Sequence, residues 1–170
     1  LIRPYVDRVR NGEHSALLGR RNRLVMFAVT SGTTSESKLI PITRRFVRDY
    51  RRGWQAWGIG IYQKYPAVQQ LNIIQISSSH RRFFSPDGTP CGNISGLVAA
   101  MQKRIVRSMY SVPAAVAEIQ HPESRRYCVL RFAAADRFVG ILITANPGTI
   151  LQMADELRQH AGDLIRDIAD

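Results

Sequence analysis

Residues 24–29, LVMFAV, run directly into residues 30–38, TSGTTSESK. The first stretch is a short apolar run, which is typical of a buried β-strand, and the Ser/Thr/Gly cluster that follows it ends the strand in a loop. From Thr43 to about Tyr62, apolar and aromatic residues recur at steps of three and four with arginines between them, which predicts one amphipathic helix. We therefore interpret residues 30–38 as a loop that directly follows a buried strand and lies a few residues before a helix.

The same order of elements continues along the chain. A second apolar run at residues 71–76 is followed by three serines and by a loop rich in proline and glycine at residues 85–96. Periodicity and capping signals then predict a helix from Ser95 to about Met109, a short segment from Pro113, a helix at 123–138, a strand at 139–144 and a last helix capped by Thr149. Strands that alternate with helices predict an α/β fold with a mostly parallel sheet.

Composition restricts the class of protein. A chain of 170 residues with 45% hydrophobic residues can bury a core, and no apolar run approaches the ~18 residues that a membrane span needs, so we expect a soluble, cytoplasmic domain. Cys91 and Cys128 lack partners at metal-ligand spacing, so no metal site is predicted, and packing is favoured over a nucleophilic role for Cys91. Because the chain starts at Leu1 and helical periodicity continues to its end, we expect a piece of a longer protein.

The charge of the chain suggests a different function. The formal net charge is +11, and 21 arginines stand against three lysines. An arginine-rich helix at residues 43–52 is one candidate for binding nucleic acid. The arginine pairs are spread along the whole chain, however, so solvated helix faces are favoured and a nucleic-acid partner is disfavoured. Tyr50, Trp54 and Trp57 on the same helix have the spacing that burial demands, which predicts core packing rather than ligand contact.

The loop at residues 30–38 is the segment that carries chemistry. Its hydroxyl side chains and closely spaced backbone N–H groups can surround phosphate oxygens, Gly32 lets the backbone approach a ligand, and Lys38 supplies positive charge. The spacing is neither that of a P-loop nor that of a dinucleotide-binding turn. Judged by residue chemistry alone, a Ser/Thr/Gly cluster between a strand and a helix more often forms an ordinary turn than a phosphate-binding site.

The order of residues in this loop resembles a known signature. Thr30-Ser31-Gly32-Thr33-Thr34 followed by Lys38 is similar to the phosphate-binding motif of adenylate-forming enzymes, although Ser35 and Ser37 stand where that motif usually has glycine and proline. Six further segments resemble, in the same order, the acyl acid amido synthetases named after the auxin-responsive Gretchen Hagen three genes: residues 11–13, 39–43, 88–96, 130–133, 144–149 and 164–168.

This resemblance implies a fold, a reaction and a set of contacts. The chain would be a single, incomplete piece of the large N-terminal adenylation domain, without the adenine and ribose motifs and the C-terminal lid that lie later in that family. The parent enzyme would use ATP and Mg²⁺ to activate a small carboxylic acid as an acyl-adenylate and would pass the acyl group to an amino acid. The implied phosphate contacts are Thr30, Ser31, Gly32, Thr33, Thr34 and Lys38.

Some assignments stay open at this stage. Asn146 ends a predicted strand, where ligands of α/β folds collect, so it is a candidate for substrate contact, although a structural turn is favoured. No catalytic residue is assigned, and the piece alone is expected to be inactive. The remaining alternatives are an arginine-rich nucleic-acid-binding module and a relative that has kept the fold and lost catalysis.

Overall fold

The computed structural model describes residues 2–30, 37–144 and 146–169. Its strands are β1 Leu24–Thr30, β2 Lys38–Thr43, β3 Asn72–Gln75, β4 Phe83–Phe84, β5 Pro90–Gly92 and β6 Val139–Ile143. Its α-helices are α1 Arg3–Arg10, α2 Arg44–Lys64, α3 Ile94–Ala100, α4 Arg104–Arg107, α5 Pro122–Ala135, α6 Pro147–Gln159 and α7 Ala161–Ala169. Within these described ranges, no helix is both long and apolar enough to cross a membrane.

The chain divides into two compact units, Leu1–Gly60 with Ser78–Ala100 and Ile61–Ser77 with Met101–Asp170. The first unit holds a four-stranded sheet in the order β2-β1-β5-β4. In the second unit β3 pairs with β6 in parallel, and helices supply most of a core that comprises Ile74, Val116, Val129, Leu130, Met153 and Leu164. Strands and helices alternate, so the predicted α/β class is confirmed.

The predicted share of parallel pairing was too high for the first unit. β1 is parallel to β5, but it is antiparallel to β2, and β4 is antiparallel to β5. The reason is the length of the connections, since residues 31–37 and 85–89 are too few for the crossover that joins parallel neighbours. Only the β1–β5 pair is therefore parallel among the described strands of this sheet.

β2 also changes the place of the loop in the fold. The sequence pattern places residues 30–38 a few residues before a helix and predicts no element between the two, whereas the structure has β2 there. Pro41 lies within this strand, and β2 tolerates it because an edge strand leaves one row of backbone N–H groups without partners. The predicted start of the helix is correct, since Thr43 Oγ1 accepts a hydrogen bond from the Phe46 backbone N–H at 3.2 Å.

Three other predictions need correction. The helix expected from Ser95 to Met109 is broken into α3 and α4, and the helix expected to be capped by Thr149 starts earlier, at Pro147. The aromatic residues of α2 do not form a core in the described structure, because Val47 is its buried residue and Trp57 is 46% exposed. Residues three or four apart on a helix also contact each other, and the rings of Trp54 and Trp57 do so with centroids 5.1 Å apart.

Two glycines allow a close backbone contact in the first unit. A Cβ on Gly92 would lie 2.6 Å from the Ser79 carbonyl oxygen, and a Cβ on Gly96 would lie 2.1 Å from the Ser78 carbonyl oxygen. The Asn93 backbone N–H donates to the Ser79 carbonyl oxygen at 3.0 Å. Residues 78–80 therefore lie directly against β5 and α3, and a side chain at Gly96 would separate them.

Candidate functional site

Thr30 and Lys38 lie side by side where β1 ends and β2 begins. The two residues are register partners in the antiparallel ladder, and Thr30 Oγ1 donates a long hydrogen bond of 3.5 Å to the Lys38 carbonyl oxygen. Lys38 is exposed and Thr30 is half-buried. The predicted phosphate loop therefore starts and ends at the carboxyl end of β1, which is the end at which α/β sheets bind ligands.

The centre of the predicted site is outside the described residues. Ser31, Gly32, Thr33 and Thr34 belong to residues 31–36, for which no placement is given. Their contact with phosphate therefore stays a prediction from the sequence.

Asn146 has a structural use at the start of α6. Its Oδ1 accepts from the Gly148 backbone N–H at 3.0 Å, which caps the helix, and its backbone N–H donates to Thr144 Oγ1 at 3.3 Å. Asn146, rather than Thr149, is thus the capping residue. Because capping occupies Oδ1 only, the side-chain NH₂ group remains able to donate, and contact of Asn146 with a substrate stays a prediction.

A polar network that the sequence interpretation missed surrounds Asp87, between β4 and β5. Its carboxylate accepts from Ser85 Oγ at 2.6 Å, from the Thr89 backbone N–H at 3.0 Å and from Thr89 Oγ1 at 2.9 Å, and it contacts His14 Nε2 at 3.0 Å. Burial by itself would raise the pKa of Asp87, but these hydrogen bonds outweigh it and hold the pKa of this carboxyl well below its usual range.

This hydrogen-bond network stabilises a turn and is not assigned a catalytic role. Gly88 has φ +80°, a conformation that favours glycine, and Ser-Pro-Asp-Gly-Thr is a turn sequence in which aspartate bonds the backbone two residues on. That local pattern could have revealed the turn. The contact with His14 spans 73 residues of sequence, so no local signal could have revealed it.

Cys91 has the properties of a packing residue. It is fully buried beside Val9 and Phe27, and burial raises the pKa of its thiol, which keeps the sulfur protonated and weakly nucleophilic. In the part of the chain that the structure describes, no three His, Cys, Asp or Glu residues come together as a group that could hold a metal ion. Cys91 thus lacks the thiolate character of a nucleophile.

The arginine-rich face of α2 is partly neutralised. Asp49 lies within 3.9 Å of Arg45, 3.4 Å of Arg48 and 3.8 Å of Arg52, all three of which are well exposed. Exposed ion pairs of this kind stabilise little. They do lower the positive potential that a phosphate backbone would meet on this helix.

Comparison with known proteins gives the family. A sequence model of the GH3 family N-terminal domain matches residues 1–170, and this chain belongs to the GH3 family. No curated protein sequence matches it significantly.

Two solved structures share the fold. A GH3.15 acyl acid amido synthetase superposes with a TM-score of 0.83 at 21% identity, covering 98% of this chain and 30% of that one. A GH3.15 acyl acid amido synthetase in complex with 2,4-DB gives a TM-score of 0.85 at 21% identity, covering 98% of this chain and 29% of that one. This chain therefore spans less than a third of the length of these two structures.

Proposed function

We propose that this chain forms the phosphate-binding part of a longer enzyme that uses ATP to join a carboxylic acid to an amino acid. The strongest support is that the family match and the motif agree. The chain belongs to the GH3 family, and in its sequence the Thr-Ser-Gly-Thr-Thr segment begins at the carboxyl end of β1, where Lys38 also lies. On this proposal the chain is one incomplete piece of the N-terminal adenylation domain, and the C-terminal lid lies elsewhere in the parent.

The reaction takes place in two balanced steps. A carboxylate oxygen of the acid attacks the α-phosphorus of ATP, an O–P bond forms, and the bond to the oxygen of the leaving pyrophosphate breaks. The amine then attacks the acyl carbon and loses a proton, and AMP leaves with the oxygen that the acid contributed. The products are one amide, one AMP and one pyrophosphate.

The proposed role of the loop is electrostatic. Negative charge grows on the phosphoryl oxygens in the first step, and preorganised donors lower the energy of that transition state. Residues 30–34 would provide hydroxyl and backbone N–H donors, and Lys38 would add a positive charge or would hold the end of the loop. Asn146 is a weaker candidate, for contact with the acid or the nucleotide.

Mg²⁺ would neutralise phosphate charge when bound. The described residues include no group of three carboxylates, histidines or cysteines that could hold a metal ion.

The nucleic-acid alternative has a distinct signature. It requires affinity for DNA or RNA that falls steeply with salt and that is lost when Arg44, Arg48 and Arg51 are neutralised. The ion pairs of Asp49 with neighbouring arginines weaken this alternative. A degenerate relative would instead keep nucleotide binding and form no amide.

The proposal predicts that the complete protein releases pyrophosphate from ATP only when a suitable acid is present. A carboxylic acid like 2,4-DB, which is bound in one related structure, is the first acid to try. Release is measured with a coupled pyrophosphate assay, and the amide is identified by mass spectrometry after an amino acid is added.

The control for that assay is the 170-residue chain alone, which is expected to form no amide. Release of inorganic phosphate with ADP, in place of pyrophosphate with AMP, would contradict the proposed reaction.

A further inference from the structure

Three neighbouring strands of the first unit end or begin at one edge of the sheet. The order β2-β1-β5 brings together Lys38 at the start of β2, Thr30 at the end of β1 and Asn93 directly after β5. Because β1 and β5 are parallel, with Ala28 opposite Gly92, both strands run toward this same edge, where β5 ends at Gly92 and β1 ends at Thr30. At about 4.8 Å between strands, the three backbones span about 10 Å.

Asn93 is held in place by hydrogen bonds of its backbone. The backbone N–H donates to the Ser79 carbonyl oxygen at 3.0 Å, and the carbonyl oxygen accepts from the Leu97 N–H at 3.4 Å. The side chain is half-buried, and it forms no hydrogen bond with any other residue that the structure describes. Among the described residues, this amide at the carboxyl end of β5 thus has a fixed backbone position and no hydrogen-bond partner for its NH₂ group.

We infer that Asn93 is a further nucleotide-binding residue, whose side-chain amide donates a hydrogen bond to a phosphoryl oxygen of ATP. This inference rests on the proposed function, because it extends the edge formed by Thr30 and Lys38 by one strand. An amide donor carries no net charge, so Asn93 would orient the phosphate through a directional hydrogen bond, whereas Lys38 would attract it by its charge. β5 positions Asn93, and this short strand lies within residues 85–96, for which the sequence pattern predicts a loop.

The test measures MgATP affinity of the complete protein by isothermal titration calorimetry. Asn93→Ala is expected to weaken binding about tenfold, since a hydrogen bond to a charged group is lost. Asn93→Asp is expected to weaken it by about a hundredfold at low salt and less at high salt, because a carboxylate repels the phosphates.

The matched controls are Asn22→Ala and Asn22→Asp. Asn22 is exposed and precedes β1, so it lies at the opposite end of that strand, about 27 Å of extended chain from Thr30. The two Asn22 variants make the same changes of residue type and net charge as the two Asn93 variants, and they are expected to bind MgATP as tightly as the unaltered protein does. Thermal unfolding of both Asn93 variants should match that of the unaltered protein, because the bond to Ser79 uses the backbone.

A Thr33→Ala variant distinguishes a failure of the Asn93 inference from a failure of the proposed phosphate site. If Thr33→Ala weakens binding while both Asn93 variants match the Asn22 controls, the role of Asn93 is overturned and the proposed function stands. If the unaltered protein does not bind MgATP, or Thr33→Ala binds it equally well, the phosphate site itself is wrong, and the role of Asn93 fails with it.

Discussion

Replacing Gly96 with alanine is expected to destabilise the first unit by at least about 3 kcal/mol, a large effect for one methyl group. The new Cβ would lie 2.1 Å from the Ser78 carbonyl oxygen and 2.8 Å from the His80 backbone nitrogen. Both of these atoms belong to the backbone, so no side chain can rotate away to make room. Relief requires residues 78–80 to move, which would break the Asn93 to Ser79 hydrogen bond at 3.0 Å.

Urea unfolding followed by circular dichroism measures this effect. The matched control is Gly53→Ala, because Gly53 is an exposed residue within α2 and a Cβ there meets nothing within 4 Å. That control should stabilise the protein by about 0.5 to 1 kcal/mol, since alanine has the higher helix propensity. Equal stability of the two variants would show that residues 78–80 do not pack against Gly96 as the structure has them.

Replacing Thr33 with alanine in the complete protein is expected to slow pyrophosphate release about a hundredfold. The proposed phosphate site depends on hydroxyl and backbone donors, and removal of one preorganised donor to a developing oxyanion costs a factor of about 10² to 10³. Because the same donor would also contact the phosphates of bound ATP, the KM for ATP should rise as kcat falls. Initial rates at saturating acid and ATP measure it.

Two variants control for that result. Thr33→Ser keeps the hydroxyl and should retain most of the activity, while Thr149→Ala makes the same change of residue type in α6, outside the loop. A Thr33→Ala enzyme with the unaltered rate would remove the loop from the mechanism.

The longer elements of the fold could be predicted from sequence because each carries its own signal. The apolar run at residues 24–29 became β1, and the three- and four-residue apolar period after Thr43 became α2. Both elements also have polar residues that mark a boundary, the Ser/Thr/Gly cluster after β1 and the capping hydroxyl of Thr43.

The short strands could not be predicted in the same way. β4 has two residues and β5 has three, which is too short for an alternating pattern, and β2 contains a proline that argues against a strand. These strands exist because of their partners rather than because of their own sequence. The mostly parallel sheet was predicted wrongly for this reason, since both antiparallel pairs of the first unit involve the strands that were missed.

The residues of the candidate site differ in the same way in whether local sequence could predict them. Thr30 and Lys38 were identified because they belong to one continuous motif, and the structure brings them together as partners across β1 and β2. The links from His14 to Asp87 and from Asn93 to the end of β1 depend on contacts between distant parts of the sequence. Sequence spacing alone contains no signal for either.

Transfer of ¹⁸O from the acid tests the proposed reaction most directly. The complete protein is incubated with ATP, an amino acid and a carboxylic acid labelled in both oxygens, and the AMP is analysed by mass spectrometry. An acyl-adenylate predicts one ¹⁸O atom in each AMP, because the oxygen that attacked phosphorus leaves with it. Unlabelled AMP, or label in inorganic phosphate, would contradict the proposed activation by adenylation.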